Sequence, residues 1–169
     1  LWSVEKAQQT MKQLMPYVDV LIANEEDAEK SLGVKARNTD ITAAKLDIDG
    51  YRALAEKLTE LYHFEAVAFT LRESISASVN NWSSMLYRDG KAYVSKKYTI
   101  QIVDRVGGGD SFASGLIYAA LNGFEPQKMI EFATAASCLK HTIEYDFNLC
   151  TAEEVENLMN GDGSGRISR

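Results

Sequence analysis

The chain is poor in cysteine. Among 169 residues only Cys138 and Cys150 occur, with no C-x-x-C spacing between them. A disulfide framework is excluded, and the usage reads as a reducing, cytoplasmic setting. Histidine is as scarce: His63 and His141 stand alone, without H-x-x-x-H spacing or a paired nucleophile, which points to structural or surface roles. Two prolines, 46% hydrophobic and 25% charged residues separate the sequence from collagenous and disordered chains. No apolar run approaches the roughly 20 residues that cross a bilayer. Leu1-Trp2-Ser3 has no basic segment leading into an apolar one, so neither a membrane span nor a secretory signal is expected. Basic residues number 18 against 24 acidic, a net charge of −6, and no Lys/Arg cluster interleaves with aromatics. Nucleic acid is therefore not an expected partner.

The length suits one domain burying roughly 70% of its unfolded surface. A first residue that is leucine rather than methionine reads as a piece of something larger. Apolar spacing predicts a helix over Ser3–Met15, stopped by Pro16, and then a buried strand over Tyr17–Ala23. A short acidic helix follows from Asn24 to Gly33, its carboxylates in the first turn where the helix dipole favours them. Residues 34–47 read as a polar connector, Ile48–Tyr62 as a helix and Glu65–Leu71 as a second apolar strand. This alternation belongs to α/β folds, whose parallel strands need crossover helices. From Ser76 the pattern shortens and alternates. Strands are expected at Trp82–Arg88, Lys91–Ser95 and Tyr98–Val103, with Asp89-Gly90 as a hairpin turn. Helices over Leu116–Leu121, Gln127–Lys140 and Ala152–Met159 and a tail over 161–169 complete the chain.

The most informative stretch runs from Asp104 to Gly115, a glycine-rich turn leading from a strand into a helix. Gly107, Gly108 and Gly109 remove every Cβ at a helix mouth, where backbone N–H groups and the positive end of the dipole favour an anion. Asp110 closes the turn, placed to accept a proton from an attacking hydroxyl. An acid beside an anion site suits phosphoryl transfer to an alcohol, which is chiefly positioning and charge stabilisation. The competing reading is that such glycines only let the chain pack closely. Ser111 and Ser114 lack a G-x-S-x-G elbow, and helix-start packing accounts for them.

The run D-R-V-G-G-G-D-S-F resembles the second signature of the ribokinase-like carbohydrate kinases, the PfkB family, approximately D-T-x-G-A-G-D-x-F. Asp104, Gly107, Gly109, Asp110 and Phe112 match it, Arg105 stands at the usual threonine and Gly108 at the usual alanine. This form is similar to the 2-keto-3-deoxygluconate kinase branch. So are Thr70-Leu71-Arg72-Glu73-Ser74 and Lys140-His141-Thr142-Ile143 with Asp146-Phe147-Asn148.

The resemblance implies a ribokinase-like three-layer α/β/α fold with a mostly parallel sheet and an antiparallel hairpin edge, present in part. Residues 1–160 would be its C-terminal nucleotide-binding and catalytic half. It implies ATP and Mg²⁺ as cofactors, a sugar or sugar acid phosphorylated on a primary hydroxyl, and a homo-oligomeric full-length protein. Asp110 is then the catalytic base, and the amides of Gly107, Gly108 and Gly109 the anion hole. Asp104, Arg105 and Asp110 lie on the substrate side, and Thr70, Arg72, Thr134, Asn148 and Asn24 on the nucleotide side. Asn24-Glu25-Glu26-Asp27 resembles the family's N-x-x-E element for magnesium, with Asp27 or Glu26 as the carboxylate beside Asn24. Two positions keep a plainer alternative: Arg72 pairs phosphate or closes a surface salt bridge, and Thr134 faces a nucleotide or is core. Fructokinase or ribokinase-like specificity, or a nucleotide-binding module that transfers nothing, are the alternatives to a 2-keto-3-deoxygluconate kinase.

Overall fold

A computed structural model describes residues 2–35 and 47–161. The connector read over 34–47 and the tail over 161–169 fall almost wholly outside them. Two compact units emerge, Leu1–Thr70 with Met85–Ala92, and Leu71–Ser84 with Tyr93 onward.

In the first unit, helix α1 (Val4–Leu14) starts where Ser3 accepts a hydrogen bond from the Lys6 amide. Pro16 then opens a single 3₁₀ turn, Met15–Tyr17, closed by the Val18 N–H on the Met15 carbonyl. That turn takes up the start of the expected strand, so β1 is only Val20–Ala23. A proline near the start of a helical turn has its fixed φ already set for it, which is why the chain curls before it extends. Helix α2 (Glu25–Leu32) begins on a capping box: the Asn24 side chain accepts from the Asp27 amide and the Asp27 carboxylate from the Asn24 amide. It ends at Gly33 in the left-handed conformation, φ 71°. Helix α3 (Ile48–Tyr62) is capped by Asp47 and buries Tyr51, Leu54, Ala55 and Leu58, one face at helical spacing. Strand β2 (Ala66–Ser74) pairs parallel with β1, Val20 opposite Ala66 and Ala23 opposite Phe69. Its first four residues are all buried, as expected of a strand covered on both faces.

Strand β3 (Val79–Arg88) turns through Asp89 and Gly90, both at positive φ, into β4 (Lys91–Val94). Two successive positive φ values suit the twist of a tight hairpin, as the Asp-Gly pair foretold. The sheet order is β1-β2-β3-β4, and β5 (Tyr98–Gln101) pairs antiparallel with the other end of β3, Trp82 opposite Tyr98. The sheet is thus mixed, parallel at β1 and β2 and antiparallel beyond.

The second unit adds helices α4 (Gly108–Leu121), α5 (Pro126–Lys140) and α6 (Ala152–Asn160). Trp82, Tyr98, Ile100 and Cys138 form a buried cluster joined by Ile102 and Leu158. Helix α5 is buried on nearly every side, from Met129 to Lys140. Gly115 lets α4 lie directly on α5, since a Cβ there would stand 3.0 Å from the Ala133 Cα and 3.1 Å from the Ala136 Cβ. Tyr118 stacks on Phe132 between the same helices, centroids 5.1 Å apart. No described helix is long and apolar enough to cross a membrane.

Candidate active site

The glycine turn is built by the residues before it. Asp104 accepts from the Val106 N–H through Oδ1 and from the Tyr145 N–H through Oδ2, at 2.9 and 3.0 Å. These amides hold its carboxyl below the ordinary range, Val106 most strongly, against the opposing effect of burial. The carboxylate thereby clasps the loop before α4 to the segment after α5. Arg105 reaches across to the Ala77 carbonyl at 2.8 Å. Both substrate-side expectations thus rest on side chains that structure the loop.

Gly107 is the N-cap of α4 at φ 77°, a conformation that disfavours any side chain. A Cβ there would also lie 2.1 Å from the Asp146 carbonyl oxygen. Gly109 faces open space, with nothing within 4 Å of a virtual Cβ. The three amides are not equivalent. The Gly108 N–H turns back onto the Arg105 carbonyl at 3.3 Å, and the first helical bond runs from Ser111 N–H to the Gly107 carbonyl. Closure of the 105–108 turn therefore uses one of the three donors expected in the anion hole. The next two amides of α4, at Gly109 and Asp110, are among the orphan donors of a helix start. Asp110 stands at the third helical position, exposed beside them.

A cleft of about 670 Å³ opens from this turn, bordered by Gly107, Asp110, Ser114, Tyr118, Phe147 and Asn148 among others. Its far wall is the segment between α5 and α6, which carries no regular structure. Asn148 pins that wall, donating through Nδ2 to the Ser111 hydroxyl at 2.6 Å and accepting the Cys150 N–H at 3.0 Å. Ser111 passes the link to the Ala136 carbonyl at 3.0 Å. Phe147 stands 74% exposed on this anchored segment and borders the cleft.

The remaining expected residues are placed differently. Thr70 and Arg72 lie within β2, which runs on to Ser74, past the expected end of that strand at Leu71. Arg72 is exposed and makes no ion pair among the described residues. Thr134 does not face the cleft. It is fully buried, its hydroxyl donating to the Ile130 carbonyl at 2.7 Å and hydrogen bonded to Ser84 of β3. Thr134 thus sits in the core, on the face of α5 turned to β3. Its neighbour Ala136 borders the cleft instead.

Asn24 and Asp27 lie in the first unit and are engaged with each other in the capping box, while Glu26 pairs with Lys30 at 2.8 Å. No group of three or more His, Cys, Asp or Glu among the described residues could hold a metal ion. The capping bonds account for the placement of Asn24 and Asp27.

Sequence reasoning assigned no role to Tyr118 or Phe132, quoted Phe147 only within a motif, and read His141 as structural or surface; the structure places all four around the glycine turn and its cleft. His141 is buried at the end of α5, its Nδ1–H donating to the Ser137 carbonyl at 2.7 Å and its ring against Trp82, centroids 4.7 Å apart. The signal available was the Ser137/His141 pair at four-residue spacing, which sets both on one helix face.

Residues 1–145 match the pfkB family of carbohydrate kinases. A 2-dehydro-3-deoxygluconokinase from Thermotoga maritima is 53% identical, with a TM-score of 0.89 over 95% of this chain and 48% of that one. A 2-dehydro-3-deoxygalactonokinase from Haloferax volcanii is 27% identical over 166 residues, 98% of this chain and 45% of its own length. Arabidopsis thaliana ribokinase, 19% identical over 89% of this chain and 43% of that one, shares the fold at a TM-score of 0.61. The chain thus spans about half the length of the relatives it matches. Strands, helices and glycine turn define an α/β protein of the ribokinase-like class. The chain belongs to the pfkB carbohydrate kinase family.

Proposed function

We propose that this chain is the phosphoryl-transfer half of an ATP-dependent sugar kinase whose acceptor is a 2-keto-3-deoxy sugar acid of the gluconate type. The observation that carries the reading is the placement of Asp110: a carboxylate in the first turn of α4, next to unobstructed amides, at the mouth of a cleft. The acceptor class is supported by the 53% identity to the Thermotoga maritima protein.

In this reading the nucleotide base and ribose lie in the cleft between α4 and residues 146–150, and the terminal phosphate reaches the amides of Gly109 and Asp110. Asp110 takes the proton of the acceptor's primary hydroxyl as that oxygen bonds to the γ-phosphorus. The bond to the bridging oxygen breaks, releasing ADP. The amides stabilise charge on the transferring group without reorganising, because the turn is already formed. Asp104 acts by holding the loop rather than by touching the acceptor. Magnesium would be carried as the salt of ATP and would offset charge on its phosphate oxygens.

The test is ATP-dependent phosphorylation of 2-keto-3-deoxygluconate, fructose and ribose by the intact protein and its Asp110→Asn variant, with ATP binding measured in parallel. Turnover of the sugar acid that falls by about 100-fold or more in Asp110→Asn, with binding retained, supports the reading. ATP binding without transfer to any sugar would leave a nucleotide-binding module. Transfer to fructose or ribose in preference would correct the acceptor.

A further inference from the structure

The anion-binding turn rests on a residue outside the proposed chemistry. Beneath Gly108 lies the imidazole of His141, so close that a Cβ at 108 would stand 2.6 Å from its Cε1 and 2.8 Å from its Nε2. A Cβ does not approach another heavy atom at such distances. The same residue holds the turn at two further points. Its carbonyl accepts the Val103 N–H at 2.8 Å and the Asp104 N–H at 3.3 Å, fixing the chain as it leaves the sheet. Its Nδ1–H bonds the carbonyl of Ser137, whose hydroxyl in turn donates to the Gly108 carbonyl at 2.8 Å. The ring is itself wedged against Trp82.

We propose that His141 is the positioning residue of the glycine turn: its buried ring occupies the volume that a side chain at 108 would need, and so sets the height of the Gly109 and Asp110 amides. Gly108 is then glycine because of His141, not because a ligand must approach there. This role for His141 rests on the turn being the phosphoryl site, whereas the steric relation between 108 and 141 stands without it.

Surroundings fit a ring that stays neutral. Burial first, and then the positive charges of Lys140 on α5, Arg105 on the loop and Arg72 on β2, push the imidazole below its ordinary range, while the bond to the Ser137 carbonyl works the other way. A proton on Nε2 would add a charge beneath the positive end of α4, where the dipole disfavours it.

A double-substitution cycle in the intact protein tests this, with Gly108→Ala, His141→Ala and the pair compared for turnover, ATP affinity and melting temperature. Gly108→Ala is expected to lower kcat by about 100-fold, the scale of a misplaced catalytic geometry. His141→Ala alone is expected to lower kcat by about tenfold with ATP affinity unchanged, a split that general destabilisation would not produce. Adding His141→Ala to Gly108→Ala should recover most of the loss, because the methyl group enters the space the ring has left. A pair no better than Gly108→Ala, or a Gly108→Ala protein as active as the parent, overturns the proposal. If the parent transfers no phosphate, the kinase reading fails. The cycle is then read in melting temperatures, where Gly108→Ala must be destabilised and rescued by His141→Ala for the proposal to survive.

Discussion

Asn148 donates to the hydroxyl of Ser111 at 2.6 Å, joining the irregular segment after α5 to the first turn of α4. Through that bond one wall of the cleft is referenced to the helix that carries Asp110. Its replacement by alanine removes three half-buried hydrogen bonds, to Ser111, Ala136 and Cys150, each worth about 1 kcal/mol. Asn148→Ala is expected to weaken ATP binding by about tenfold and to lower the melting temperature modestly. Calorimetric titration and a thermal melt check the two effects separately.

Phe147 makes a different contribution. On the proposed function, an aromatic ring left 74% exposed on a segment tied down at Tyr145 and Asn148 offers a face on which the nucleotide base would stack. Base stacking on aromatic side chains contributes about 1–3 kcal/mol. Phe147→Ala should therefore raise the Kd for ATP by about tenfold while leaving the melting temperature of the free protein unchanged. An equal loss of stability and affinity would instead mark Phe147 as a packing residue.

The glycines of the turn differ in what they tolerate. Gly107→Ala meets both a positive φ and the Asp146 carbonyl, and is expected to destabilise the fold by more than about 1 kcal/mol. Gly109→Ala meets nothing within 4 Å and should melt like the parent. Any loss of turnover in Gly109→Ala is then attributable to the new methyl group crowding the bound phosphate. Parallel melts and kinetics on the two variants check the contrast.

The depressed imidazole of His141 has a consequence for acid stability. Its contribution is full above about pH 6.5, where the unfolded chain is neutral too, and is lost as pH falls below that value, because the unfolded state takes up a proton that the native state resists. Denaturation at a series of pH values should show stability falling below pH 6.5, and the fall should be shallower in His141→Ala. Emission from Trp82, measured with Trp2 replaced by phenylalanine, reports the same protonation through quenching by the adjacent imidazolium.

Helix periodicity made most of the fold legible, because the faces of α3 and α5 and the caps at Ser3 and Gly33 are local features. The misread elements have local causes too. Tyr17 and Val18 have strand composition, yet Pro16 fixes a turn around them. Val79, Asn80 and Asn81 precede the strand expected from Trp82, yet they begin β3, where β5 pairs with them. Thr134 carried no mark that would separate the cleft face of α5 from the sheet face, since both are buried. In the site, Asp110 and its glycines were legible because a strand-to-helix turn needs those residue types. The cleft's outer wall was not, for Tyr145 to Cys150 have no period, and their placement depends on Asp104 and Ser111, far away in sequence.

Two glycines of α4, Gly108 and Gly115, are each kept bare by a residue of α5 or the position just beyond it. The pairing makes the two helices a single unit of inheritance. Among relatives, a larger residue at 108 should travel with a smaller one at 141, and a side chain at 115 with relief at 133 or 136, since a change on one helix survives only where the other has made room for it.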